Sequence, residues 1–136
     1  MNTHALTLVS SVRIRYWFAI VAPRLCETMP NQYLIRTDDK TVKAWVFVGI
    51  LQGLEEAYRI KIPMLDIFGE RDWDVTRWGA DERRKQIERV PGSKQIVVAK
   101  ATHFFEGQEE DLIKPVVAFL DTLFRTNSKE ASTHRP

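Results

Sequence analysis

A chain of 136 residues is at most one domain, and its 44% hydrophobic content is enough for a core that buries about two-thirds of the unfolded surface. Twenty basic and eighteen acidic residues are interspersed and leave a net charge of +2, so no electrostatic case exists for nucleic acid or an anionic membrane as partner. The single cysteine, Cys26, excludes an internal disulfide and argues against a cysteine-rich zinc site; it reads as an inert thiol.

The first ten residues carry no Lys or Arg, and Arg13 and Arg15 interrupt the moderately apolar stretch 5–25, so no signal peptide is read there. No uncharged apolar run reaches the roughly eighteen residues that a spanning helix needs. A cytoplasmic location is the expectation.

Residues 1–40 form an unassigned segment. Thr7 to Ile20 is rich in β-branched and aromatic residues, and Arg13-Ile14-Arg15-Tyr16 alternates as a half-buried strand would, so an extra strand is one reading. Pro23, Pro30 and the polar run Arg36 to Lys40 punctuate the rest of the segment. From residue 44 the pattern sharpens. Ala44 to Ile50 is a continuous apolar run, as in a strand covered on both faces. Gln52 to Tyr58 is a short helical or turn segment with Leu54 and Ala57 on one side. Pro63 opens a second strand, Met64 to Phe68, closed by Gly69. Thr76 to Arg89 reads as one charged helix whose narrow buried face carries Trp78, Arg84 and Ile87. Pro91-Gly92 is a turn, and Gln95 to Ala99 is the third strand. Glu109 to Phe124 is the last helix, with Leu112, Ile113, Val116, Val117, Leu120, Leu123 and Phe124 at helical spacing and Pro115 expected to kink it or mark its start. Residues 126–136 are polar and read as a frayed, flexible tail.

Strands alternating with helices imply an α/β fold, a parallel sheet of three to four strands flanked by helices over residues 41–125. Ligands of such sheets sit beyond the carboxyl ends of the strands. Asp72 comes just after the glycine turn that closes one strand, and His103 just after the next strand. An acid that orients a histidine, which in turn activates a nucleophile, is the chemistry of serine-type hydrolysis, and acid before histidine is the chain order of α/β hydrolases. Taken singly, Asp72 is also placed to cap the next helix, as are Asp74 and Thr76, and His103 is also an ordinary loop-end histidine. Trp73, Trp78 and Phe104 flank the pair and are candidates for a substrate pocket, though packing is the commoner role of such residues.

The stretches Ile62 to Asp72, Pro91 to Gln95 and Ala101-Thr102-His103-Phe104-Phe105 together resemble the C-terminal part of bacterial α/β-hydrolase-fold proteins. The likeness covers about residues 44–125. It implies Asp72 as the triad acid, His103 as the base, and Ala44 to Ile50 as the strand before the acid strand. The N-terminal half of such proteins, with its nucleophile elbow and oxyanion donors, has no counterpart here: no Gly-x-Ser-x-Gly occurs anywhere, and Ser10-Ser11 lacks flanking glycines.

Two functions are expected from these residues. One is an ester or amide hydrolase of the serine type, truncated and inactive alone, completed by a complementing N-terminal half. The other is a non-catalytic, hydrolase-like interaction module that pairs through an exposed sheet edge, as in a homo-oligomer. No cofactor and no metal are expected, because His4, His103 and His134 do not form a ligand spacing. Asp81-Glu82 and Glu109-Glu110-Asp111 read as solvated helix faces.

Overall fold

The structure, a computed structural model, describes residues 18–23, 28–37, 39–51, 53–54 and 56–133. Strand β1 (Phe18–Pro23) leads to helix α1 (Thr28–Thr37) and strand β2 (Val42–Val48); a 3-10 turn (Ala57–Arg59) precedes β3 (Met64–Arg71). Helices α2 (Asp74–Trp78) and α3 (Ala80–Ile87) lead to β4 (Lys94–Thr102), and α4 (Glu109–Thr133) ends the described chain. The four strands form one parallel sheet in the order β1-β2-β3-β4.

The apolar run of β2 is explained by the two faces it serves. Trp45 and Phe47 pack on one side with Ile35, Met64, Ile87 and Val90. Ala44, Val46 and Val48 pack on the other with Leu65, Ile67, Val98 and Phe119. Alternate residues belong to alternate layers, and both sets are buried, which is the pattern of a central parallel strand. Leu54 and Ala57 are buried against the first of these clusters, as their spacing predicts.

Phe18–Pro23 supplies an extra strand in the N-terminal segment, paired to β2. The alternating Arg13 to Tyr16, the Ser10-Ser11 pair, Cys26, His4 and His134 lie outside the described residues. Helix α1 is not legible from the punctuation by Pro30. That proline occupies the first turn, where backbone N–H groups have no helical partner and none is lost. The link from α1 to β2 is closed by Asp39, which accepts from the Tyr33 hydroxyl at 2.5 Å and from Thr41 N–H at 2.9 Å.

Three expected elements are corrected. First, β3 does not stop at Phe68 but runs through Gly69 to Arg71, with an irregular register between Gly69 and Arg71. Second, the expected single helix over Thr76 to Arg89 is two helices broken at Gly79. Its buried face carries Arg83 and Ile87, while Trp78 is 77% exposed and the Arg84 side chain is half exposed. The charge of Arg83 is taken up by Asp66 on β3, and periodicity within one helix does not register a partner on another element. Third, α4 continues to Thr133, through Pro115 and past Phe124 into the polar stretch. Leu112, Val116, Phe119, Leu120 and Leu123 face the second cluster, whereas Ile113 and Val117 are half exposed. Burial of that face outweighs the roughly 3 kcal/mol that an interior proline costs a helix.

Between the sheet and α2–α3 lies a buried polar network. Arg83 Nε donates to Asp66 Oδ2 at 2.8 Å, and Gln95 Nε2 donates to the same oxygen at 2.8 Å and to the Ala80 carbonyl at 2.7 Å. Burial pushes the Asp66 carboxyl above the ordinary carboxylate range, and Arg83 and Gln95 draw it back. Among the described residues, no helix is long and apolar enough to cross a membrane, and no group of three metal-type side chains converges.

Gly69 tests this architecture directly. A Cβ there would lie 2.3 Å from the Ala101 carbonyl oxygen, a backbone atom that no rotamer change can move. Gly69→Ala is expected to lower stability by about 3 kcal/mol, read from the midpoint of urea unfolding. A loss below about 0.5 kcal/mol, the range of an inert surface change, would show that the two strands are not this close.

Candidate active site

Two neighbouring parallel strands deliver the site. Arg71 and Thr102 are register partners, so the next residues, Asp72 and His103, leave β3 and β4 abreast at the carboxyl edge. Asp72 Oδ1 lies 2.6 Å from His103 Nδ1, and both side chains are buried, at 0% and 3% exposure. Asp72 Oδ1 also accepts Trp73 N–H at 2.7 Å, and Oδ2 accepts Gly69 N–H at 3.3 Å. A carboxylate that receives backbone donors on both oxygens acts as an acceptor, so the shared proton is assigned to Nδ1. In neutral imidazole that leaves the lone pair on Nε2. Nε2 makes no hydrogen bond among the described residues and is not among the sealed, unpartnered atoms.

Asp72 does not cap a helix. Helix α2 begins at Asp74 with Trp73 before it and no side-chain cap. The Asp72 backbone N–H donates to the Gly69 carbonyl at 3.0 Å, which turns the chain sharply and lifts the carboxylate over the sheet.

The three aromatic candidates separate. Trp73 stacks face to face on His103, with centroids 3.8 Å apart and planes 13° from parallel. Phe104 stands edge-on to both rings, 6.0 Å from Trp73 and 5.5 Å from His103. Trp78 is outside this group, largely in solvent at the end of α2. The two phenylalanines after His103 also differ. Phe105 is buried in the second core cluster and anchors the loop, adopting a left-handed φ of 53° to do so, whereas Phe104 is half exposed.

Sequence reasoning missed Gly49. It sits just past the end of β2 with φ +63°, and a Cβ there would lie 3.2 Å from His103 Cε1, 3.3 Å from Nδ1 and 3.6 Å from Asp72 Oδ2. A glycine immediately after a buried strand, on the edge where ligands bind, is the signal that marks it. A cavity of about 210 Å³ lined by Tyr58, Lys61, Arg89 and Pro91 lies away from this edge, near the amino ends of β3 and β4.

Gly49→Ala is expected to displace the imidazole from Asp72 and to destabilise the fold by about 1–2 kcal/mol through the left-handed backbone. The low-field proton resonance of the Asp72–His103 hydrogen bond reports the displacement. An unchanged resonance in the folded variant would show that the edge of β2 does not confine the ring.

No protein-family model matches the chain, and no curated protein matches it.

Proposed function

We propose that the chain carries the acid and base of a serine-type ester or amide hydrolase, with Asp72 as orienting acid and His103 as general base. One observation carries this reading: the buried 2.6 Å bond from His103 Nδ1 to Asp72, with Nε2 unused among the described residues. An imidazole oriented through Nδ1 presents its basic nitrogen to a nucleophile's hydroxyl, takes that proton as the acyl bond forms, and returns it to the leaving group. Asp72 stabilises the imidazolium formed in between without itself taking the proton. No Gly-x-Ser-x-Gly occurs in these residues, so on this reading the nucleophile and the oxyanion donors are supplied from outside them. Trp73 and Phe104 border the reacting edge and line the substrate side of the pair.

Turnover of 4-nitrophenyl acetate by the purified chain is expected to match that of its His103→Ala variant, because nucleophile and oxyanion hole supply most of the acceleration in such enzymes. In any reconstituted activity, Asp72→Asn and His103→Ala should each remove at least about a hundredfold in kcat. A fast rate for the chain alone that His103→Ala abolishes would overturn the split-site reading. A reconstituted rate indifferent to both residues would overturn the hydrolase reading.

A second reading, a module that pairs through its sheet edge, is favoured by β4. That strand ends the sheet, is nine residues long, and holds Val97 at 51% exposure. Long edge strands invite pairing with another chain. On this reading sedimentation velocity at micromolar concentration gives a dimer that Val97→Lys returns to monomer; a monomer before and after the substitution rules it out.

A further inference from the structure

Arg83 is fully buried and makes none of the hydrogen bonds of Asp72 and His103 among the described residues. Its guanidinium lies over the Phe68 ring, 5.3 Å from the centroid, and makes two hydrogen bonds: Nε donates to Asp66 Oδ2 on β3 at 2.8 Å, and Nη1 donates to the Thr76 carbonyl in α2 at 3.0 Å. That carbonyl is available because Gly79 interrupts the helical ladder. Gly79 N–H bonds Val75 and Arg83 N–H bonds Gly79, so no backbone amide takes the Thr76 oxygen. Five residues of helix do not stand alone in water, so α2 depends on what grips it. The residue just before α2 is Trp73, which stacks on His103, and before it is Asp72.

Stability alone does not account for the pair. Arg83 Nη2, Asp66 Oδ1 and the Thr76 hydroxyl are buried without partners, and a buried ion pair with unfilled hydrogen bonds is commonly no better than well-packed apolar residues. What the guanidinium supplies and an apolar side chain does not is a directional tie between β3 and the carbonyl of Thr76. We propose that Arg83 is a positioning residue for the Asp72–His103 pair, fixing α2 and thereby seating Trp73 on the imidazole. Its relevance to catalysis rests on the hydrolase reading; the positioning itself does not, and is read without any turnover.

The full chain carrying Asp66→Leu together with Arg83→Met removes the charge from both partners. It is expected to unfold cooperatively, to lose at least half of the upfield ring-current shift that Trp73 imposes on the His103 ring protons, and to lose the low-field Nδ1 proton. Arg83→Lys provides the second arm. A lysine reaches Asp66 or the Thr76 carbonyl but not both in the fork geometry, so the ring-current shift should again fall by about half while the fold persists. Wild-type shifts in a folded double variant overturn the proposal. If the double variant does not fold, wild-type shifts in Arg83→Lys overturn it. Reduced shifts accompanied by unchanged dependence of a reconstituted rate on His103 would uphold positioning while removing its catalytic relevance.

Discussion

The site depends on how closely Gly69 approaches the backbone of Ala101, which leaves no space there for even a Cβ. Because no side chain separates β3 from β4 at that point, the strands draw together and the ladder slips before it resumes at Arg71 and Thr102. The resumed register sets Asp72 beside His103. The same glycine then serves the acid twice more, through its N–H to Oδ2 and its carbonyl to the Asp72 amide. An irregularity in a ladder re-aims the side chains after it, and here the re-aimed pair is Asp72 and His103.

The two sides of the sheet are held in different ways. The face that meets α4 is apolar throughout, built from Val46, Leu65, Ile67, Val98 and Phe119. The face that meets α2 and α3 mixes Trp45, Phe47 and Ile87 with Asp66, Arg83 and Gln95. Apolar contact is indifferent to a small slide of a helix, whereas a fork of hydrogen bonds is not. The directional contacts are therefore on the side whose helix begins next to the site.

Much of this was legible in the residues, and the remainder has physical reasons for having been hidden. The central strands declared themselves because a strand covered on both faces has to be apolar throughout, as Ala44 to Val48 is. Asp72 and His103 were legible because strand ends in a parallel sheet share one edge. Helix α1 was hidden by Pro30, which breaks helices everywhere except in the first turn. The burial of Arg83 was hidden because it depends on Asp66, seventeen residues away on another element. Gly49 was hidden for a related reason: its importance is the space it leaves, and the groups that fill that space come from β3 and β4.

The stack on the imidazole has one more consequence. The Trp73 stack on one face and the Asp72 bond to Nδ1 both have to be given up if the ring swings about its Cβ–Cγ bond. Some histidines ferry protons by rotating between a donor and an acceptor. This one is held in one orientation, and on the proposed reading it exchanges its proton at Nε2 alone, so the group that meets it has to approach that nitrogen in the plane of the ring.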